Sequence, residues 1–308
     1  MRFIAITILL GASMQASAAE WRIATDPDDR FIDVFEGDTP VLRYNFKSTE
    51  PPEGIDPALA RGDYVHPLYG LDGEVLTDDY PKDHPHHRGV NWSWATIRWK
   101  GEDRDMFAVR GAWARPKELH TDTSDGEARI KATSVWRWDD AEDIVLEDLT
   151  IVVEPERADG RVIDFRIALT PLVDNLEFCG RLEAAYSGFN LRMAPAERQA
   201  IVFHTDETGA SPRRSWGDYS AAFPGGQGRS GVTVFTHAAN PGYPQEWREY
   251  PSLNFYQPLY PGGVPIRLSQ GVVLTYSLWI HGDLGDAADE AMAAKWDAVA
   301  AVSSGAPR

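Results

Sequence analysis

The feature that most limits how this chain can fold is a period-two alternation of apolar and polar side chains, repeated along much of its length. From Arg161 to Thr170, Ile163, Phe165, Ile167 and Leu169 fall on one side, while Asp164, Arg166 and Thr170 fall on the other. Ile130, Ala132, Ser134, Trp136 and Trp138 alternate with Arg129, Lys131, Thr133 and Arg137, and Val272 to Ile280 repeats the pattern. A backbone whose successive side chains point to opposite faces buries one face only as a half-buried strand. Further strands are expected at Val41 to Phe46, Val90 to Ile97, Ile144 to Val153, Leu176 to Ala184, Ala200 to His204 and Gly231 to His237. The one helical stretch is the Ala-rich run Ala287 to Val302. Strands without interleaved helices imply an all-β protein, a large antiparallel β-sandwich with long loops and one C-terminal helix.

Three segments lack this periodicity. Thr49 to His87 carries Pro51, Pro52, Pro57, Pro67, Pro81 and Pro85, and Pro212 to Gly228 and Ala239 to Gly263 are dense in Gly, Pro and aromatic residues. Their aromatic and histidine content argues against disorder, so they are expected as ordered loops folded over one sheet face.

Residues 1–18 read as a secretory leader: Arg2 supplies the positive start, Phe3 to Leu10 the apolar run, and Ala16-Ser17-Ala18 the small-residue cleavage signal. The remainder, 19–308, is expected as a single β-sandwich domain in the periplasm or outside the cell. No later stretch is apolar for long enough to span a bilayer as a helix. With 30 Lys and Arg against 47 Asp and Glu, the net charge is −17, which removes the basic footprint a nucleic-acid partner requires. Cys179 is the sole cysteine, so no intramolecular disulfide can form.

The strongest chemical signal is Asp83-His84-Pro85-His86-His87-Arg88-Gly89, with three of the chain's eight histidines in four positions. If Pro85 holds His84 extended, His84 and His86 point one way and His87 the other. A same-side imidazole pair suits acid/base catalysis or a divalent metal, and both readings stay open. Asp78, Asp79 and Asp83 could orient the rings or simply form turns, and Arg88 is shaped to orient a carboxylate or sugar hydroxyls. His66 and His237 are candidates for a third imidazole, whereas His204 and His281 read as structural. Trp92, Trp94, Trp216, Tyr219, Tyr243, Trp247, Tyr250, Tyr256 and Tyr260 fall in or beside the loops, where exposed ring faces would stack on sugars. A conventional carboxylate pair could come from Glu183, Asp218, Glu246 or Glu249. Dinucleotide, phosphate-loop, zinc-helix and nucleophile-elbow motifs are absent.

The run from Tyr69 to Gly89, ending in His84-Pro85-His86-His87-Arg88-Gly89 and followed by Trp92-Ser93-Trp94, resembles the signature of the bacterial PmoA-like family of unknown function. Trp216 to Tyr219, Gly231 to Pro241 and Trp247 are similar to its second signature, and the likeness extends over nearly all of residues 19–308. The resemblance implies a β-sandwich of the galactose-mutarotase type and a connection with sugar degradation, but assigns no catalytic residue. Taken with the residues themselves, it leads to a secreted carbohydrate-active enzyme, a hydrolase, lyase or epimerase acting on a sugar or uronate. In this reading His84, His86, His237 and Arg88 are catalytic, with His84 and His86 also the metal candidates, and His66, Trp92, Trp216, Tyr219 and Trp247 bind substrate. A non-catalytic glycan-binding module is the alternative.

Overall fold

The computed structural model describes residues 20–181, 184–204, 213–285 and 288–303; the expected leader and Glu183 lie outside them. Every paired strand among the described residues is antiparallel. Nine strands form one sheet in the order Trp21–Thr25, Phe31–Glu36, Thr39–Asn45, Tyr64–Leu68, Val90–Trp94, Ser187–Arg192, Phe255–Pro258, Gln245–Tyr250 and Arg213–Arg214. Eight form the facing sheet, running Glu197–Phe203, Trp216–Ala222, Ser230–Thr236, Val272–His281, Arg161–Pro171, Glu142–Val153, Ala128–Trp138 and Ala112–Asp122. A small third sheet joins Ile266–Arg267, Glu177–Cys179, Thr96–Trp99 and Glu102–Arg104.

The alternation explains the core. Ile163, Phe165, Ile167 and Leu169 face inward and are completely buried, as are Trp94, Trp136, Phe178, Phe189 and Tyr276. Each such side chain contributes roughly 1.5–3 kcal/mol by leaving water. One polar group crosses this interior. Glu147, on Glu142–Val153, accepts the indole N–H of Trp92 at 2.7 Å from the opposite sheet and of Trp136 at 2.6 Å from its own. Burial, reinforced by the nearby charge of Asp63, raises the Glu147 pKa well above the ordinary carboxylate range. Asp63 accepts from the Tyr44 hydroxyl at 2.7 Å.

The sequence expectations need revision in three places. Val90 to Ile97 is not one strand: the chain bends at Ala95 and continues as Thr96–Trp99 in the small sheet. Leu176 to Ala184 contributes only Glu177–Cys179. The segments expected to be loops contain the strands Tyr64–Leu68, Trp216–Ala222, Gln245–Tyr250 and Phe255–Pro258. The helix, Ala288–Ser303, covers the outer face of the eight-stranded sheet, where Met292 is buried with Val162, Trp216, Phe235 and Trp279. Among the described residues no helix is long and apolar enough to cross a membrane.

The outer face of the nine-stranded sheet positions the site. Val90, Trp92, Trp94, Phe189, Leu191 and Tyr256 point into the main core, so Asn91, Ser93, Asn190, Arg192, Phe255 and Gln257 point outward. All six are nevertheless buried, because loops fold over this face as expected.

Candidate active site under the loops

The histidine cluster sits in two successive turns and not in an extended strand. The His84 amide donates to the Pro81 carbonyl at 3.1 Å, and the His87 amide to the His84 carbonyl at 2.8 Å. This corrects the expected alternation: His87 does not point away, and all three imidazoles gather on one side. Ring centroids lie 4.9 Å apart for His84 and His87, 4.7 Å for His86 and His87, and 5.8 Å for His84 and His86.

Arg88 makes the turn rigid. Its guanidinium is fully enclosed, donates to the carbonyls of His87 at 2.7 Å, Pro85 at 2.9 Å and Leu59 at 2.7 Å, and lies over the Tyr80 ring at 3.4 Å. Its Nε is 3.3 Å from Asp79, whose carboxyl burial pushes up to about 6. With three backbone carbonyls as its acceptors and no exposed surface, Arg88 does not reach a substrate, which corrects its expected catalytic role to that of a latch.

The three rings differ electrostatically. His84 is exposed, with Nδ1 3.2 Å from Asp83. His86 is half-buried; burial, then His84, Arg88, Arg110 and Arg181, lowers its pKa to about 4. His87 is packed between Phe107 and Phe255, at centroid distances of 5.5 and 5.0 Å, and burial lowers its pKa to about 2. Arg192 Nη1 lies 3.5 Å from His87 Nδ1 and can only donate, so the His87 proton sits on Nε2. Arg192 also donates to Asp83 at 2.8 Å, tying the turn to the sheet beneath it. His86 and His87 are therefore neutral at pH 7, and His86 is free to accept a proton.

The imidazoles form one wall of a cavity of about 340 Å³. Phe107, Tyr186, Tyr250, Leu253 and Phe255 supply its apolar side, a cluster separate from the main core. Phe107 is central to it, with ring centroids 5.8 Å from His86 and 5.1 Å from Tyr186. Arg110 and Arg181 complete the lining, the latter donating to Asp105 at 2.7 Å. Burial raises the Tyr186 pKa, so its hydroxyl stays protonated and can donate. Among the described residues, no group of three or more His, Cys, Asp or Glu side chains is arranged to hold a metal ion, and His84 and His86 meet edge to face.

Of the residues singled out from sequence, His84, His86, His87 and Tyr250 line this cavity; the other candidate site residues do not. Trp92 is in the core on Glu147. Trp216 is buried in the helix-covered cluster. Tyr219 is buried and donates to Asn254 at 3.0 Å, and Trp247 packs on Phe203 and Tyr256. None of these four presents a ring face to a ligand, so the expected stacking surface is corrected to core packing. His237 follows the strand Ser230–Thr236 and bonds Ser277 at 2.8 Å; His66 bonds Thr77 at 3.0 Å. Burial lowers both to a pKa of about 4, and neither joins the cluster. Asp218 is buried against His281 at 3.0 Å, which removes it as an acid/base group. Sequence reasoning missed Phe107, Arg110, Arg181, Tyr186 and Phe255, which stand in no motif and come together only through the sheet.

Comparison with solved structures finds weak likeness to three proteins. A protein described as a kojibiose phosphorylase from the human microbiome has 9% identity and TM-score 0.37, covering 69% of this chain and 26% of that one. A polysaccharide lyase has 10% identity and TM-score 0.34, covering 88% and 33%. A protein described as an aldose 1-epimerase from Klebsiella pneumoniae has 8% identity and TM-score 0.37, covering 90% and 82%. The chain thus spans about a quarter and a third of the first two. No curated protein matches. None of these comparisons shows the PmoA-like family that the sequence resembles. Residues 32–297 match DUF6807, and the chain belongs to that family of unknown function.

Proposed function

We propose that the protein is a secreted carbohydrate-active enzyme whose reaction takes place in the cavity beside His86. One observation carries this reading: a neutral, half-buried imidazole opens on the same cavity as two tyrosines and an apolar ring cluster. His86 accepts a proton from the substrate or from water, and the Tyr186 hydroxyl is positioned to donate one to a leaving oxygen. The half-buried rings of Tyr186 and Tyr250 offer faces to the C–H side of a sugar, with buried Phe107 and Phe255 packed behind them. His84 stands beside Asp83, and Arg88 and His87 hold the turn in place.

The test is a panel of plant and algal oligosaccharides, assayed for any product with wild type and with His86→Ala. Loss of turnover by about 10²-fold or more, with saccharide affinity retained, is the expected result. Binding without turnover in wild type would instead make the protein a glycan-binding module. Equal turnover in both proteins would remove His86 from the chemistry.

A further inference from the structure

We infer that this cavity selects an acidic saccharide, a uronate whose carboxylate is held by Arg110 and Arg181. The inference rests on the saccharide reading above and narrows its substrate class. The chain carries a net charge of −17, yet the described residues lining the cavity include two arginines and no Asp or Glu. The local charge does not cancel. Among the described residues, Asp105 is the one carboxylate in direct contact with either guanidinium, bonding Arg181 at 2.7 Å, while Arg110 is exposed and has no side-chain partner.

The histidines in this wall add no negative charge to offset the arginines. A cationic spot in an otherwise acidic molecule attracts anions that the rest of the surface repels. The planar fork of a guanidinium matches a carboxylate with two parallel hydrogen bonds, and the apolar cluster beside it offers the sugar ring a surface to rest on. Arg181 also lies beside the Tyr186 ring, its Cζ 5.3 Å from the centroid, so carboxylate and sugar ring are recognised by adjacent groups. A neutral sugar fits the aromatic side alone and leaves the guanidinium groups without an anion.

The experiment is calorimetric titration with uronate oligosaccharides, each paired with its own methyl ester, alongside neutral oligosaccharides of equal length. The proteins are wild type, Arg110→Met, and Arg110→Met with Arg181→Met, with thermal melts to verify folding. Arg110→Met leaves the Arg181–Asp105 pair intact and serves if the double variant does not fold. The expected result is at least one free acid binding tenfold or more tighter than its ester at low salt, a preference that shrinks in Arg110→Met and vanishes in the double variant. Binding of the ester should change less than twofold. Equal binding of acid and ester in wild type, or an acid preference that survives loss of both arginines, overturns the inference while saccharide binding itself stands. Failure of every saccharide to bind overturns the saccharide reading, and this inference with it.

Discussion

Trp92 is fully buried and spends its indole N–H on Glu147. Replacing it with Phe keeps most of the packing but strands one oxygen of a buried carboxyl. The expected cost is about 1–3 kcal/mol in urea unfolding, with saccharide binding unchanged; a loss of binding at full stability would return Trp92 to the site. His86 makes the complementary prediction. Since burial holds its pKa near 4, the neutral imidazole persists from pH 7 down to that value, and kcat/KM should fall only as pH drops through about 4. An acid limb near 6.5 would mean that another group is the base. The triple histidine was legible because residue type and spacing alone set it apart. The direction of its rings was not, since it depends on turn bonds from Pro81 and His84 and on a remote latch at Leu59. Likewise, counting aromatic residues near loops does not tell which side of a strand each one occupies.

At the scale of single elements, the 81–88 turn depends on Arg88. Three carbonyls are fixed by one guanidinium, so Arg88→Met should destabilise the protein by about 3–5 kcal/mol or melt the turn locally. Amide hydrogen exchange at His84 and His87 would register either outcome. Arg88→Lys should rescue little, because an ammonium cannot reproduce a planar fork aimed at three acceptors. Unchanged exchange in both variants would refute the latch. Strands such as Arg161–Pro171 were readable because their two faces differ in polarity. Trp216–Ala222 was not: Tyr219 and Ala221 face the main core while Trp216 lies under the helix, so burial on both sides erases the alternation. Val90–Trp94 on the other sheet keeps its alternation although loops bury its outward Asn91 and Ser93, so it was readable as a strand.

For the molecule as a whole, the acid group between the sheets ties stability to pH. The folded pKa of Glu147 lies above its unfolded value, so its contribution is fully present below about 4.5 and is lost as pH rises through the folded value. Glu147→Gln cannot titrate. The urea midpoint of wild type relative to Glu147→Gln should therefore decline as pH is raised from 5 to 9, and a constant difference would show that the carboxyl is not held protonated. The two-sheet architecture followed from the alternation, whereas the pairing of Glu147 with indoles from both sheets has no local signature. The cavity shares that non-local character, since its walls come from the segments 84–87, 107–110 and 250–255 together with Arg181 and Tyr186. No excised fragment can carry it, and during folding it is completed only after strands far apart in the chain have paired. A refolding chain should regain its β-sheet circular dichroism before it regains affinity for any sugar, making occupancy of this recess a late and stringent reporter of the native state.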